Sequence, residues 1–293
     1  RGRATAVGAS AILLWASLGL LGTASGAVPP FLLNALCFGM AGLLTLAWVA
    51  SRPGGVPRLR QPPGVIAFGT LGLFGFHALY FTAIRHAPPV EANLINYAWP
   101  LLIVLLSALL PGERLRLQHV LGAGLGLSGV AAILVGGQSA AIGSGIQLGH
   151  AAAAAAAWWA AYSVLSRRLR GVPTEAVALY CCATALLSAG AHLLFEPTVW
   201  PAGAREWGAV VLLGIFPVGL AFFAWDHGVK HGDIQVLGAG AYAAPLLSTL
   251  TLVAAGYGEL TPVVGAACVA ITAGALIASW DLIRPRRAPV QVD

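Results

Sequence analysis

Asn93, Asn96, Tyr97 and Pro100 fall at i, i+3, i+4 and i+7, the spacing of one helical face. Gly238, Tyr242, Pro245 and Thr249 repeat that face 145 residues later. Amides and phenols so placed offer hydrogen bonds, and each proline frees a backbone carbonyl one turn earlier. None of these groups is a nucleophile set beside a base, so the chemistry on offer is recognition of a solute. His77 is the one ionisable side chain expected near the middle of an apolar tract. As a neutral imidazole it presents one donor and one acceptor, and it is expected to lend polarity to binding without acting as an indispensable proton carrier.

Aromatic residues sharpen the picture. Trp and Tyr of membrane proteins normally sit in the interfacial belts, as Trp48, Trp200, Trp207, Trp225 and Trp280 are expected to do. Trp15, Trp99, Trp158, Trp159, Tyr97 and Tyr242 instead fall near the middle thirds of their tracts, where indole N–H and phenol groups need partners. Trp158 and Trp159 are adjacent, so one of the two is expected to face packing or lipid. Glu91, Asp226 and Asp281 lie towards tract ends, which leaves the centre without a carboxylate. A strongly charged solute would need compensation at such depth. The centre suits a neutral or zwitterionic solute with an apolar or aromatic body.

The elements that must hold these groups follow from composition. Of 293 residues, 58% are hydrophobic and only 9% charged, too few charges to cover a water-soluble globule of this size. Spanning hydrocarbon takes roughly 20 apolar residues. That length divides the chain into ten tracts near 4–23, 29–50, 64–84, 90–110, 116–136, 146–166, 174–195, 207–229, 233–256 and 261–281. With the amino terminus inside, fourteen of the sixteen basic residues collect on one side, leaving Arg85 and Arg205 opposite. This accounts for the net charge of +6 by the preference of Lys and Arg for cytoplasmic loops, without any nucleic acid partner. All four cysteines fall inside tracts, so neither a disulfide framework nor a metal site is expected.

The recurrence is a duplication, with Tyr97-Ala98-Trp99-Pro100-Leu101-Leu102 matched by Tyr242-Ala243-Ala244-Pro245-Leu246-Leu247. Five tracts per half is an odd number, so the second copy inserts upside down, an arrangement used for alternating access. The expected divisions are a first repeat over 1–137, a small-residue linker over 138–145, a second repeat over 146–283 and a basic tail over 284–293. Gly126-Leu127-Ser128-Gly129 resembles a serine-protease signature, but without a partner base it reads as helix packing in a span that also holds Gly122 and Gly124.

Trp15-Ala16-Ser17, the run from Phe74 through Tyr80 to Tyr97-Ala98-Trp99-Pro100, Trp159 through Arg168, and Tyr242 through Pro245 closely resemble the EamA-type branch of the drug/metabolite transporter superfamily. The resemblance implies an all-α integral membrane protein of ten transmembrane helices, in two inverted five-helix repeats around a central cavity, in a bacterial inner membrane with both termini cytoplasmic. Within that frame the expected activity is export of amino acids, aromatic ones preferred, by a monomer using neither cofactor nor metal. The expected binding residues are Trp15, His77, Asn93, Asn96, Tyr97, Trp99, Trp158, Trp159, Tyr162 and Tyr242, with Pro100, Pro217 and Pro245 as kink or gating positions. Export of another neutral or amphiphilic metabolite or drug is the alternative, and an intramembrane enzyme or lipid scramblase the rival from a different class.

Overall fold

Three Pro-Pro pairs, Pro29-Pro30, Pro62-Pro63 and Pro88-Pro89, each open a helix, because proline at the first helical position loses nothing by lacking an N–H. The protein is described by a computed structural model covering residues 2–107, 117–136, 145–166, 169, 171–231, 244–278 and 280. All regular structure among them is helical. Tyr242, the expected tail over 284–293 and the expected linker over 138–145, except Gly145, lie outside the described residues.

In chain order the helices are α1 (Gly2–Ala16), α2 (Leu18–Ala24), α3 (Pro30–Ala50), α4 (Gly55–Arg58), α5 (Pro63–His86), α6 (Pro89–Asn96) and α7 (Trp99–Ser107). They continue with α8 (Leu117–Gly136), α9 (Gly145–Ser166), α10 (Ala176–Phe195), α11 (Ala204–Ile215), α12 (Ala221–His231), α13 (Ala244–Ala254) and α14 (Pro262–Ala278). Among the described residues, five stretches are long and apolar enough to cross a membrane: Gly2–Ala24, Pro30–Ala50, Pro63–His86, Ala176–Phe195 and Ala204–Gly228. Their outward faces carry bare leucines such as Leu43, Leu186 and Leu194, which a water-soluble surface would not cluster.

Among the described residues, three tracts depart from the unbroken helices that the sequence suggests, the first of them at Ser17, between α1 and α2. The fourth is interrupted at Tyr97-Ala98, where the Ala98 N–H donates to Ile95, three residues back. Pro100 explains the break: its ring excludes the carbonyl four residues earlier, and it sits in the first turn of α7. Pro245 occupies the same place in α13. In the eighth tract, Pro217 shifts the register into a π turn over Phe216–Leu220, so the Ala221 N–H donates to Phe216, five residues back.

Helix pairing forms the scaffold. α8 packs along α14, α3 along α10, α1 against α12, and α5 against α9. Small residues permit the first contact, since a Cβ on Gly274 would strike the Gly122 carbonyl and lie 2.6 Å from the Gly126 nitrogen. Ser128 is exposed and donates to the Leu125 carbonyl of its own helix. On α5, Gly69, Gly72 and Gly75 form a flat stripe that receives the rings of Tyr180, Tyr162 and Trp158 respectively. Gly72→Ala puts a methyl group inside the Tyr162 ring and is expected to destabilise the protein by about 1–3 kcal/mol, the usual cost of overpacking. Thermal unfolding in detergent measures it, and an unchanged midpoint would show that the ring moves freely aside.

Candidate functional site

Where α1, α5, α6, α7, α9 and α12 converge, they enclose a cavity of about 40 Å³. Trp15, His77, Asn93, Asn96, Tyr97, Trp99 and Trp159 line it, together with Ile12, Leu18, Phe76, Tyr80, Phe222 and Ala244. None of the described lining residues carries a carboxylate, an ammonium or a guanidinium. The volume is room for water but well short of the roughly 150 Å³ in which one benzene ring fits. An aromatic side chain therefore enters only if the surrounding rings move apart.

Those rings form one continuous assembly. Trp15 meets Trp159, Phe222 and Trp225 at centroid distances of 6.2, 5.8 and 5.2 Å. Phe76 lies 5.1 Å from Trp159 and stacks 5.7 Å from Tyr80. The offset, edge-on and tilted geometries match what ring quadrupoles favour. The π turn supplies a polar anchor for the assembly. Because Ala221 bonds to Phe216, the Pro217 carbonyl is left to the Trp15 indole, which donates to it at 3.1 Å.

His77 is buried within a sleeve of Phe38, Phe76, Phe81 and Phe222, with centroids 4.7–5.7 Å away. Its Nδ1 lies 2.9 Å from the Leu73 carbonyl, one turn back on α5. Tyr80, one turn further along, donates its hydroxyl to Asn93 Oδ1 at 2.9 Å. Asn93 Nδ2 then donates to Ser248 Oγ on α13 at 2.7 Å, and Tyr97 also hydrogen-bonds Ser248. The neighbouring helices α5 and α6 are thus tied to α13, distant in sequence, by a buried polar chain whose members satisfy one another.

The remaining expected residues are placed differently. Trp158 lies on Gly75, half exposed, with its indole N–H donating to the Leu71 carbonyl at 3.0 Å. Tyr162 stacks on Phe68 at 5.1 Å over Gly72. Neither lines the cavity: the glycine stripe of α5 accepts both rings, and Tyr162 packs 5.4 Å from the ring of Trp159. Pro100 and Pro245 act through backbone geometry at helix starts, and Pro217 through the π turn.

Sequence reasoning missed Tyr80, Phe76, Phe222 and Ser248. One available signal points to Phe222: it stands 145 residues after His77, the offset that relates Tyr97 to Tyr242. Tyr80 and Phe76 flank His77 on α5 but look like ordinary apolar core until Asn93 is seen beside them.

Beyond the cavity, polar contacts within and between the expected halves lie at both ends of α3 and α10. On the side of the α3 amino terminus, Glu196 accepts the Phe31 and Leu32 N–H groups at 2.8 and 3.1 Å, and its carboxylate lies 2.9 Å from His192 Nδ1. Arg85 reaches Ser25 there at 3.2 Å. At the opposite end, Arg58 pairs with Glu175 at 2.5 Å, and Thr174 donates to Asp226.

Residues 3–135 and 147–280 match the EamA-like transporter family. The chain is 52% identical over 282 residues to the aromatic amino acid exporter YddG of Ancylobacter novellus, covering 95% of this chain and 98% of that protein. It is 28% identical over 268 residues to the aromatic amino acid exporter YddG of Escherichia coli K12, with 85% and 87% covered. A solved crystal structure superposes with a TM-score of 0.77 at 51% identity, covering 97% of this chain and all of that one.

Proposed function

Because this multi-pass membrane protein belongs to the EamA-like transporter family, we propose that it exports amino acids, aromatic ones preferred, from the cytoplasm by alternating access. One observation carries the reading: the described residues that line the cavity are uncharged, and most of them are rings. A zwitterion with an aromatic body needs ring surface and a few hydrogen bonds rather than a deep counter-ion. The names of the relatives in Ancylobacter novellus and Escherichia coli support the choice of cargo.

The chain crosses the membrane ten times, as two inverted repeats over 1–137 and 146–283, joined by 138–145 and followed by the tail 284–293. Pairing between helices supports this architecture. Exchanging the halves turns α3 with α10 and α8 with α14 into themselves, and turns α1 with α12 into α9 with α5. His77 and its counterpart Phe222 meet at 5.7 Å, as mates do beside a two-fold axis. Both termini face the cytoplasm of a bacterial inner-membrane protein acting as a monomer. Cysteine placed at Ser139 is expected to react from the periplasmic side of intact cells; reaction only after permeabilisation would reverse the topology.

Trp15, His77, Asn93, Asn96, Tyr97, Trp99 and Trp159 form the binding surface, with Tyr242 contributing from the second repeat. Trp158 and Tyr162 hold α9 against α5. His77 takes part through hydrogen bonding, so His77→Gln is expected to keep at least about a third of the wild-type flux. Gradient-driven accumulation lost in that variant, with downhill exchange intact, would make His77 a proton carrier instead.

Uptake of radiolabelled Phe, Trp, Thr and a cationic dye into proteoliposomes tests the function. Phe and Trp are expected to exchange fastest; faster dye movement would make the protein a drug exporter. Chemical conversion of cargo in detergent, where no compartment exists, would make it an enzyme.

A further inference from the structure

Most polar atoms around the cavity are already committed. The Trp15 indole serves the Pro217 carbonyl, while Asn93 is used from both ends of its amide by Tyr80 and Ser248. Asn96 is different. It lines the same cavity, is 3% exposed, and its Oδ1 has no hydrogen-bond partner among the described residues. A buried carbonyl oxygen left unpaired costs about 1–3 kcal/mol, so it is held there against a penalty that a ligand donor would relieve.

His77 supplies a second acceptor. A carbonyl can only accept, so the hydrogen bond to Leu73 puts the proton on Nδ1. Enclosed by phenyl rings with no carboxylate among the described residues of the cavity lining, the ring is neutral, because an unpaired buried imidazolium is far more costly. Its Nε2 is therefore the acceptor nitrogen of a residue that lines the cavity. Two acceptors on one small cavity, from α5 and α6, match a ligand group that carries several N–H donors.

Resting on the export reading above, we propose that Asn96 Oδ1 and His77 Nε2 bind the cargo's ammonium group, making the amine, together with the aromatic body, the feature that admits a solute. Asn96 is then the specificity-determining residue for amines, and Trp15, Phe76, Tyr80 and Trp159 provide stacking for the body.

Competition against radiolabelled L-Phe in proteoliposome counterflow tests this, using phenethylamine, which lacks the carboxylate, and 3-phenylpropionate, which lacks the amine. With wild-type protein, phenethylamine is expected to compete at least about tenfold more strongly than 3-phenylpropionate, the ratio of an unmet buried acceptor. Asn96→Leu should shrink that ratio several-fold, and Asn96→Asp, which retains an acceptor oxygen, should maintain or widen it. Equal competition by the two analogues in wild-type protein overturns the proposal without any variant, as does an undiminished ratio in a folded Asn96→Leu protein. These results leave L-Phe exchange itself intact and so spare the export reading. Absence of L-Phe counterflow would instead sink that reading, and the ammonium site with it.

Discussion

Trp15→Ala is expected to abolish measurable exchange of aromatic cargo while lowering stability by about 3 kcal/mol, near the bottom of the range for truncating a well-packed aromatic. The indole touches three other rings and fills the carbonyl released by the π turn, so its loss opens a void and strands the Pro217 oxygen together. Trp15→Phe separates these contributions. It keeps most ring contact but removes the donor, and should cost only about 1–2 kcal/mol, the price of one unmet carbonyl. Unfolding midpoints in detergent, read beside counterflow of radiolabelled Trp, give both quantities. Normal flux in a folded Trp15→Ala protein would mean that the ring is packing only.

Asn93→Leu is expected to be similarly severe. It breaks the chain from Tyr80 through Asn93 to Ser248, all three at 0–1% exposure, and leaves two buried hydroxyls short of a partner. Ser248 keeps Tyr97 while the Tyr80 hydroxyl is left unmet, so the protein should lose about 1–3 kcal/mol. Because α5, α6 and α13 are joined through this one amide, Tyr80→Phe and Asn93→Leu should combine far less than additively in unfolding free energy. Additive losses would show that the two side chains act independently and that the polar chain does not join the helices.

Much of the scaffold is legible in residues that act through the backbone. Pro29-Pro30, Pro62-Pro63 and Pro88-Pro89 mark helix starts because proline tolerates only that place in a helix. Gly122, Gly126 and Gly129 read as a packing face because close approach requires missing side chains, and Gly274 occupies that face. The polar face of the fourth tract is legible as a set, and Asn93, Asn96 and Tyr97 do reach the cavity.

Rotation of α9 was not legible. Its middle is a run of alanines from Ala151 to Ala157, so no contrast between apolar and polar sides there tells which of Trp158 and Trp159 turns inward. That choice depends on the glycine stripe of α5, a partner distant in sequence. Nor does spacing reveal the pairing of Asn93 with Ser248, which exists only once α6 and α13 are brought together. A π turn at Pro217 is equally hidden, since proline in a span signals a break without saying whether the helix bends or widens.

The central claim is that cargo is held within the ring-lined cavity between the two halves. Photolabelling with an azido derivative of L-Phe in sealed proteoliposomes, followed by peptide mapping, addresses it most directly. Label is expected on peptides of α1, α5, α9 and α12 that carry Trp15, Phe76, Tyr80, Trp159 and Phe222, and excess L-Phe should remove it. Label that falls on the lipid-facing leucines, or that persists under excess L-Phe while exchange continues, would contradict a central binding site.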